Sequence, residues 1–145
     1  MDRAALDAAI ELGLDYGGAI PRGRKAEDGP VDAKYWKLTE LGTADYRVRT
    51  HRNVEDSDAT LIIAEGRIKG GTALTAKYAS AEAKPSLIVD LKKQDEALAL
   101  GETTAWLRRV RPKTLNVAGP RESEAPGIYE AARRFLSLLL SIPFK

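Results

Sequence analysis

The chain has 145 residues, 43% of them hydrophobic and 30% charged, with a formal net charge of +2. That length suits one domain, residues 1–145, with a real core, and so small a charge, with acids and bases interleaved, speaks against a sequence-independent nucleic-acid binder. The chain has no cysteine, which excludes disulfides, thiolate metal sites and cysteine nucleophiles.

No apolar run approaches the roughly 20 residues that cross a bilayer, and the start lacks a signal-peptide pattern. A cytoplasmic protein with no membrane partner is expected. Residues 2–13 place Ala5, Ala8, Ala9 and Leu12 on one helical face, and Gly13 suits the carboxyl end of that helix. Leu14 to Gly18 reads as a short strand running into a turn. Residues 19–32 hold several glycine and proline breaks and read as a loop, locally basic through Arg22, Arg24 and Lys25. Trp36 to Thr39 reads as a small strand. A helix is expected from Thr43 to Asp56, with Tyr46, Thr50 and Val54 along one side and Arg49, Arg52 and Asn53 on another. Asp56-Ser57-Asp58 ends it with turn chemistry.

Ala59 to Ala64 is the clearest strand, a continuous apolar run suited to a sheet covered on both faces. It leads through Gly66 to Gly70-Gly71-Thr72 and an alanine-rich helix over residues 73–83. Ser86 to Asp90 reads as a second buried strand, and residues 94–110 as a helix that Pro112 follows. Thr114 to Val117 is a third strand. Ile128, Ala132, Phe135 and Leu139 then recur at helical spacing. The order βαβαβα predicts a parallel sheet between helices, with right-handed crossovers.

Two turns follow predicted strands, Gly66 to Thr72 and Gly119 to Ser123, and each runs toward a helix start. Glycine admits close backbone approach, while free amides and the helix dipole favour an anion. Arg121 adds a positive fork, and Ser123 a hydroxyl suited to capping the helix or touching a ligand. Neither turn is a Walker A loop or Gly-x-Gly-x-x-Gly. Open α/β sheets keep ligands at the carboxyl ends of their strands, so an anion-binding domain is expected. The only histidine, His51, reads as solvent-facing, and Asp56, Asp58 and Asp90 as turn residues. Tyr35 and Trp36 suit core packing, or stacking on a flat heterocycle. Leu136 to Leu140 is apolar almost all round, which suggests burial against a neighbouring subunit as well.

Several segments carry a resemblance: Asp2-Arg3-Ala4-Ala5-Leu6-Asp7, the run Pro-Arg-Gly-Arg-Lys-Ala-Glu-Asp-Gly from Pro21, Thr50 to Asp58, Gly70 to Thr75, and Asn116 to Tyr129. Over nearly the whole chain they resemble the molybdenum-cofactor carrier family, which is similar to the broader Rossmann-like group containing the lysine-decarboxylase-like phosphoribohydrolases. The resemblance implies a Rossmann-like three-layer α/β sandwich with a mainly parallel sheet. It implies a non-enzymatic carrier that binds the molybdenum cofactor (molybdopterin), a pterin bearing a phosphate and a molybdenum oxo centre. Such a carrier protects the cofactor and hands it to molybdoenzymes, as a homo-oligomer. Carried over residue by residue, the contacts are Arg22, Arg24, Asn53, Gly70, Gly71, Thr72, Asn116, Gly119, Arg121 and Ser123. Family members also carry a strand and a Gly-Gly-Gln-Thr-Gly turn where this chain has Met1, so a third set of backbone donors belongs to the family's pattern. Two other readings stay open. A nucleotide phosphoribohydrolase would need a carboxylate beside the bound sugar, with Glu122, Glu124 or Asp58 the nearest candidates. A nucleotide-sensing module would bind without turnover.

Overall fold

The computed structural model describes residues 1–26 and 29–141; Glu27 and Asp28 of the basic run lie outside the described residues. The strand Ala59–Ala64 (β5) is buried at all six positions, as its unbroken apolar run requires. It pairs in parallel with Ser86–Asp90 (β6) on one side and Leu115–Ala118 (β7) on the other, giving the order β6-β5-β7. The chain steps outward from β5 to β6 and then back past β5 to β7. With right-handed crossovers the two connecting helices must lie on opposite faces. Accordingly, Gly70–Ala81 (α3) packs with Tyr46–Glu55 (α2), whereas Glu96–Val110 (α4) packs with Ile128–Leu140 (α5), which also receives Asp2–Glu11 (α1). The result is a three-layer α/β sandwich with mainly parallel pairing. Leu61 and Ile63 meet Ala4, Ala8, Phe135, Leu136 and Leu139 in one cluster. Leu61, Ile62 and Ile63 are fully enclosed, each contributing about 1.5–3 kcal/mol of burial.

Elsewhere the short elements move. Leu14 to Gly18 is not a strand: Leu14 is exposed and Gly18 turns at a φ of 136°. The strand begins instead at Ala19–Ile20 (β1), inside the expected loop, and pairs in parallel with Thr39–Glu40 (β4) rather than with a strand at Trp36. Tyr35 enters the core, but Trp36, 73% exposed, and Lys37 are successive exposed residues in a turn, without the alternation a strand there would need. The loop carries one turn of 3-10 helix, Arg22–Arg24, and a small antiparallel pair, Lys25–Ala26 (β2) with Gly29–Pro30 (β3). α3 starts at Gly70, three residues earlier than its alanine-rich run suggests. β6 has the expected bounds but is an edge strand of this sheet, with Ile88 47% exposed. On α5, Leu136 and Leu139 are buried and Leu138 is 41% exposed.

Asp7 of α1 ties three elements together. Its carboxylate accepts the Tyr35 hydroxyl at 2.6 Å and the Tyr129 hydroxyl of α5, and Lys34 lies 3.6 Å away. Burial pushes this carboxyl up, but the Tyr129 and Tyr35 hydroxyls and then Lys34 outweigh it and hold it below the ordinary value. A carboxyl depressed in the folded state stabilises above its unfolded pKa and loses that contribution as pH falls through the folded value. Asp7→Asn is therefore expected to cost about 1–3 kcal/mol at neutral pH and to flatten the acid limb of the stability curve. Denaturant unfolding at neutral and acid pH checks this; equal acid sensitivity in both proteins would contradict it.

Candidate functional site

The strand order decides where the two turns meet. Because β5 and β7 are neighbours and parallel, their carboxyl ends emerge side by side. Consecutive strands in the spatial order second-first-third form a topological switch point, where helices leave on opposite faces and open a crevice. From β5 the chain runs through Gly66, whose N–H donates to Asp90 Oδ1 at 3.0 Å. That bond, ahead of the opposing effect of burial, draws the Asp90 carboxyl down, so Asp90 serves as the fastening of the β5 turn. α3 follows at Gly70. Its N-cap residue, Lys69, makes no side-chain cap, and the first intrahelical bond of this end runs from Ala73 N to Lys69 O. The amides of Gly70, Gly71 and Thr72 thus form a helix amino end, whose N–H groups have no carbonyl behind them within the helix. Gly70, at a φ of 55°, and Gly71 are exposed, while Thr72 is buried.

From β7 the chain reaches Gly119. A Cβ there would run into the Ile63 carbonyl oxygen and the Met1 side chain, so glycine is required by the approach of the turn to β5 itself. Residues 121–125 then form a tight turn, with Glu124 N and Ala125 N both donating to Arg121 O at 3.0 Å. α5 begins only at Ile128, after Gly127 in the left-handed region, so Ser123 is not its cap. Glu122 takes that end instead, accepting the Gly127 and Tyr129 amides; those bonds hold its carboxyl below the ordinary value. Of the two helix ends, that of α5 is taken by Glu122, whereas that of α3 has no side-chain cap from its N-cap residue.

The turns converge. One oxygen of Glu124 accepts the Arg121 N–H at 3.1 Å, and the other lies 3.8 Å from where a Cβ on Gly70 would stand. Arg121 places its guanidinium 5.1 Å from the Tyr46 ring centroid, and Arg49 comes within 5.7 Å of the same ring. Tyr46 and Arg49 belong to the amino end of α2, which reaches this rim because α2 runs antiparallel to β5. Neither is among the candidates the sequence offers; the signal for them is Arg49 standing one helical turn before Asn53. Asp45 caps α2 through Arg47 N at 2.9 Å. Thr43 accepts the Arg22 N–H at 2.7 Å through its carbonyl and the Asp45 N–H at 3.2 Å through its hydroxyl. The basic loop is thereby tied to the margin of the crevice at Arg22.

The remaining candidates are placed differently. Arg24 donates to the carbonyls of Val31, Asp32 and Tyr35 and holds the loop's shape. Asn53 spends its amide on Ala19, accepting the N–H at 2.7 Å and donating to the carbonyl at 3.2 Å, as a neighbouring strand would. Asn116 donates to Thr60 Oγ1 at 3.3 Å, toward the amino end of the sheet. Asp58 accepts the Lys113 and Thr114 amides at that same end, far along the strands from the crevice, which removes it as a carboxylate for a bound sugar.

A family model for the circularly permutated YpsA SLOG family matches residues 1–140. Among solved structures, a candidate molybdenum carrier protein from Syntrophus aciditrophicus SB is similar at 45% identity and a TM-score of 0.93, covering 96% of this chain and 87% of that one. No match is found among the curated proteins. Among the described residues no helix is long and apolar enough to cross a membrane.

Proposed function

We propose, for a chain that belongs to the circularly permutated YpsA SLOG family, that it carries the molybdenum cofactor in the cytoplasm and delivers it to molybdoenzymes. The observation that supports this reading is the meeting of the two turns at the β5–β7 switch point, where Gly70 faces the Arg121–Glu124 turn. The similar solved structure is a candidate molybdenum carrier protein, and this chain has no thiol to compete for the metal. Within the crevice, the amides of Gly70, Gly71 and Thr72 and the Arg121 guanidinium take the phosphate. Gly119 and Ser123 shape the second turn, and Arg22 guards the margin. Arg24, Asn53 and Asn116 act through the framework they hold. Bound there, the cofactor brings the molybdenum oxo centre; the chain supplies the anion site and the enclosure. The exposed Ile10 and Leu138, on the packed helices α1 and α5, leave apolar surface for a homo-oligomer.

Native mass spectrometry of the protein isolated from cells that make the cofactor is expected to show a molybdopterin adduct. A purely nucleotide adduct would count against the carrier reading.

The phosphoribohydrolase reading keeps one observation in its favour. Glu124 puts a carboxylate between the two turns, where a general acid or base for a bound sugar phosphate would stand. Release of free base from nucleoside monophosphates, abolished in Glu124→Gln, would establish hydrolysis; a carrier gives no release in either protein.

A further inference from the structure

Away from the crevice, α2 and α3 bring together three side chains of a different chemistry. His51 and Glu55 stand four residues apart on α2, so they share one face. Glu82 follows α3 as its C-cap residue. One imidazole nitrogen and two carboxylate oxygens from these residues all lie within 4.8 Å of one another, and His51 Nε2 is already 3.1 Å from Glu82 Oε1. The Tyr78 ring, one turn before Glu82, stacks on the imidazole at 4.5 Å and 31°, which fixes the plane in which Nε2 points. Lys84 donates to the carbonyls of Val54, Glu55 and Ser57 at 3.1, 2.5 and 2.8 Å. It thereby clamps the end of α2 to the segment after α3 through backbone carbonyls. The nearby Arg52 is engaged by Asp56 at 2.8 Å.

We propose that His51, Glu55 and Glu82 form a binding site for a first-row divalent cation, zinc above all, that pins α2 to α3. Zinc takes imidazole nitrogen and carboxylate oxygen at about 2.0–2.2 Å in a tetrahedron, whose corners stand about 3.4 Å apart at such bond lengths. The His51–Glu82 pair, at 3.1 Å, is a little inside that spacing, and the remaining closure needs only rotation of two exposed glutamates. Imidazole in the donor set favours zinc, cobalt or nickel over magnesium and calcium, which prefer oxygen alone. The fourth position stays open to water. The ion would lie toward the carboxyl ends of the two helices whose amino ends frame the crevice, up to about 15 Å along α2.

The full-length chain, free of any affinity tag, is titrated with Co²⁺ and its ligand-field absorption recorded. Its melting temperature is measured with Zn²⁺ and with Mg²⁺. The expected result is a saturable one-site cobalt spectrum that Zn²⁺ displaces, and a rise in melting temperature with Zn²⁺ that Mg²⁺ does not reproduce. His51→Gln and Glu82→Gln, both substitutions at a solvent-accessible cluster, are each expected to weaken Co²⁺ binding by at least about tenfold. An absent spectrum, an affinity unchanged in either variant, or an equal effect of Mg²⁺ would overturn the site.

Discussion

Gly119→Ala is expected to destabilise the fold by about 3 kcal/mol or more. The new Cβ would strike the Ile63 carbonyl oxygen, a backbone atom of the central strand. Overpacking against side chains commonly costs about 1–3 kcal/mol, and here the obstacle cannot rotate away. Either β7 withdraws from β5, which parts the two turns, or β5 is pushed from its place among fully buried neighbours. For a domain of this size the corresponding fall in melting temperature is about 10 °C. Gly71→Ala is the informative contrast. Nothing lies within 4 Å of a Cβ there and the residue needs no positive φ, so the helix gains propensity and the fold is kept. A ligand that approaches the first turn of α3 would nevertheless meet the added methyl. Thermal melts separate the two, and equal tolerance of both substitutions would contradict the packing described for Gly119.

Arg121→Ala is expected to leave stability within about 0.5 kcal/mol, because the side chain is exposed, and to weaken binding of a phosphorylated pterin by about 10- to 100-fold. That range corresponds to the loss of one charge-assisted hydrogen-bonded contact. Arg121→Lys should recover only part of the affinity, since the ammonium keeps the charge but lacks the planar fork and stacks less well on Tyr46. Calorimetric titration measures both. An Arg121→Ala protein that binds as tightly as the original would remove the guanidinium from the site.

How far the residues themselves foretell this arrangement depends on what each signal measures. β5 and β6 have the bounds expected of them because a short apolar run between turn residues marks a strand, although only in β5 is that run buried throughout. The two-residue strands β1 and β4 escape, since so short a pairing has no periodicity to detect, and they form where Asn53 and the loop backbone supply partners. Nor does apolarity say which strand is central: Ile88 looks as buried as Ile62 until the pairing order is known. In the crevice, Gly70 comes beside the Arg121–Glu124 turn, as neighbouring strand ends require. Asn53 and Asn116 are candidates through the resemblance, yet each is addressed to a neighbouring element, and a side chain's polarity does not disclose its partner. Tyr46 and Arg49 were missed for the opposite reason: the Arg121–Tyr46 contact spans 75 positions in the chain, and no local pattern encodes it. The helix expected to begin near Ser123 begins at Ile128, because the Glu122 carboxylate organises the intervening turn.

An amide-resolved NMR titration with inorganic phosphate, repeated with a phosphorylated pterin, tests most directly whether the two turns act as one site. The amides of Gly70, Gly71, Thr72 and Arg121 are expected to shift together and saturate with a single dissociation constant for each ligand. Shifts confined to one turn, or centred on surfaces remote from β5 and β7, would mean that the crevice is not where the anion binds.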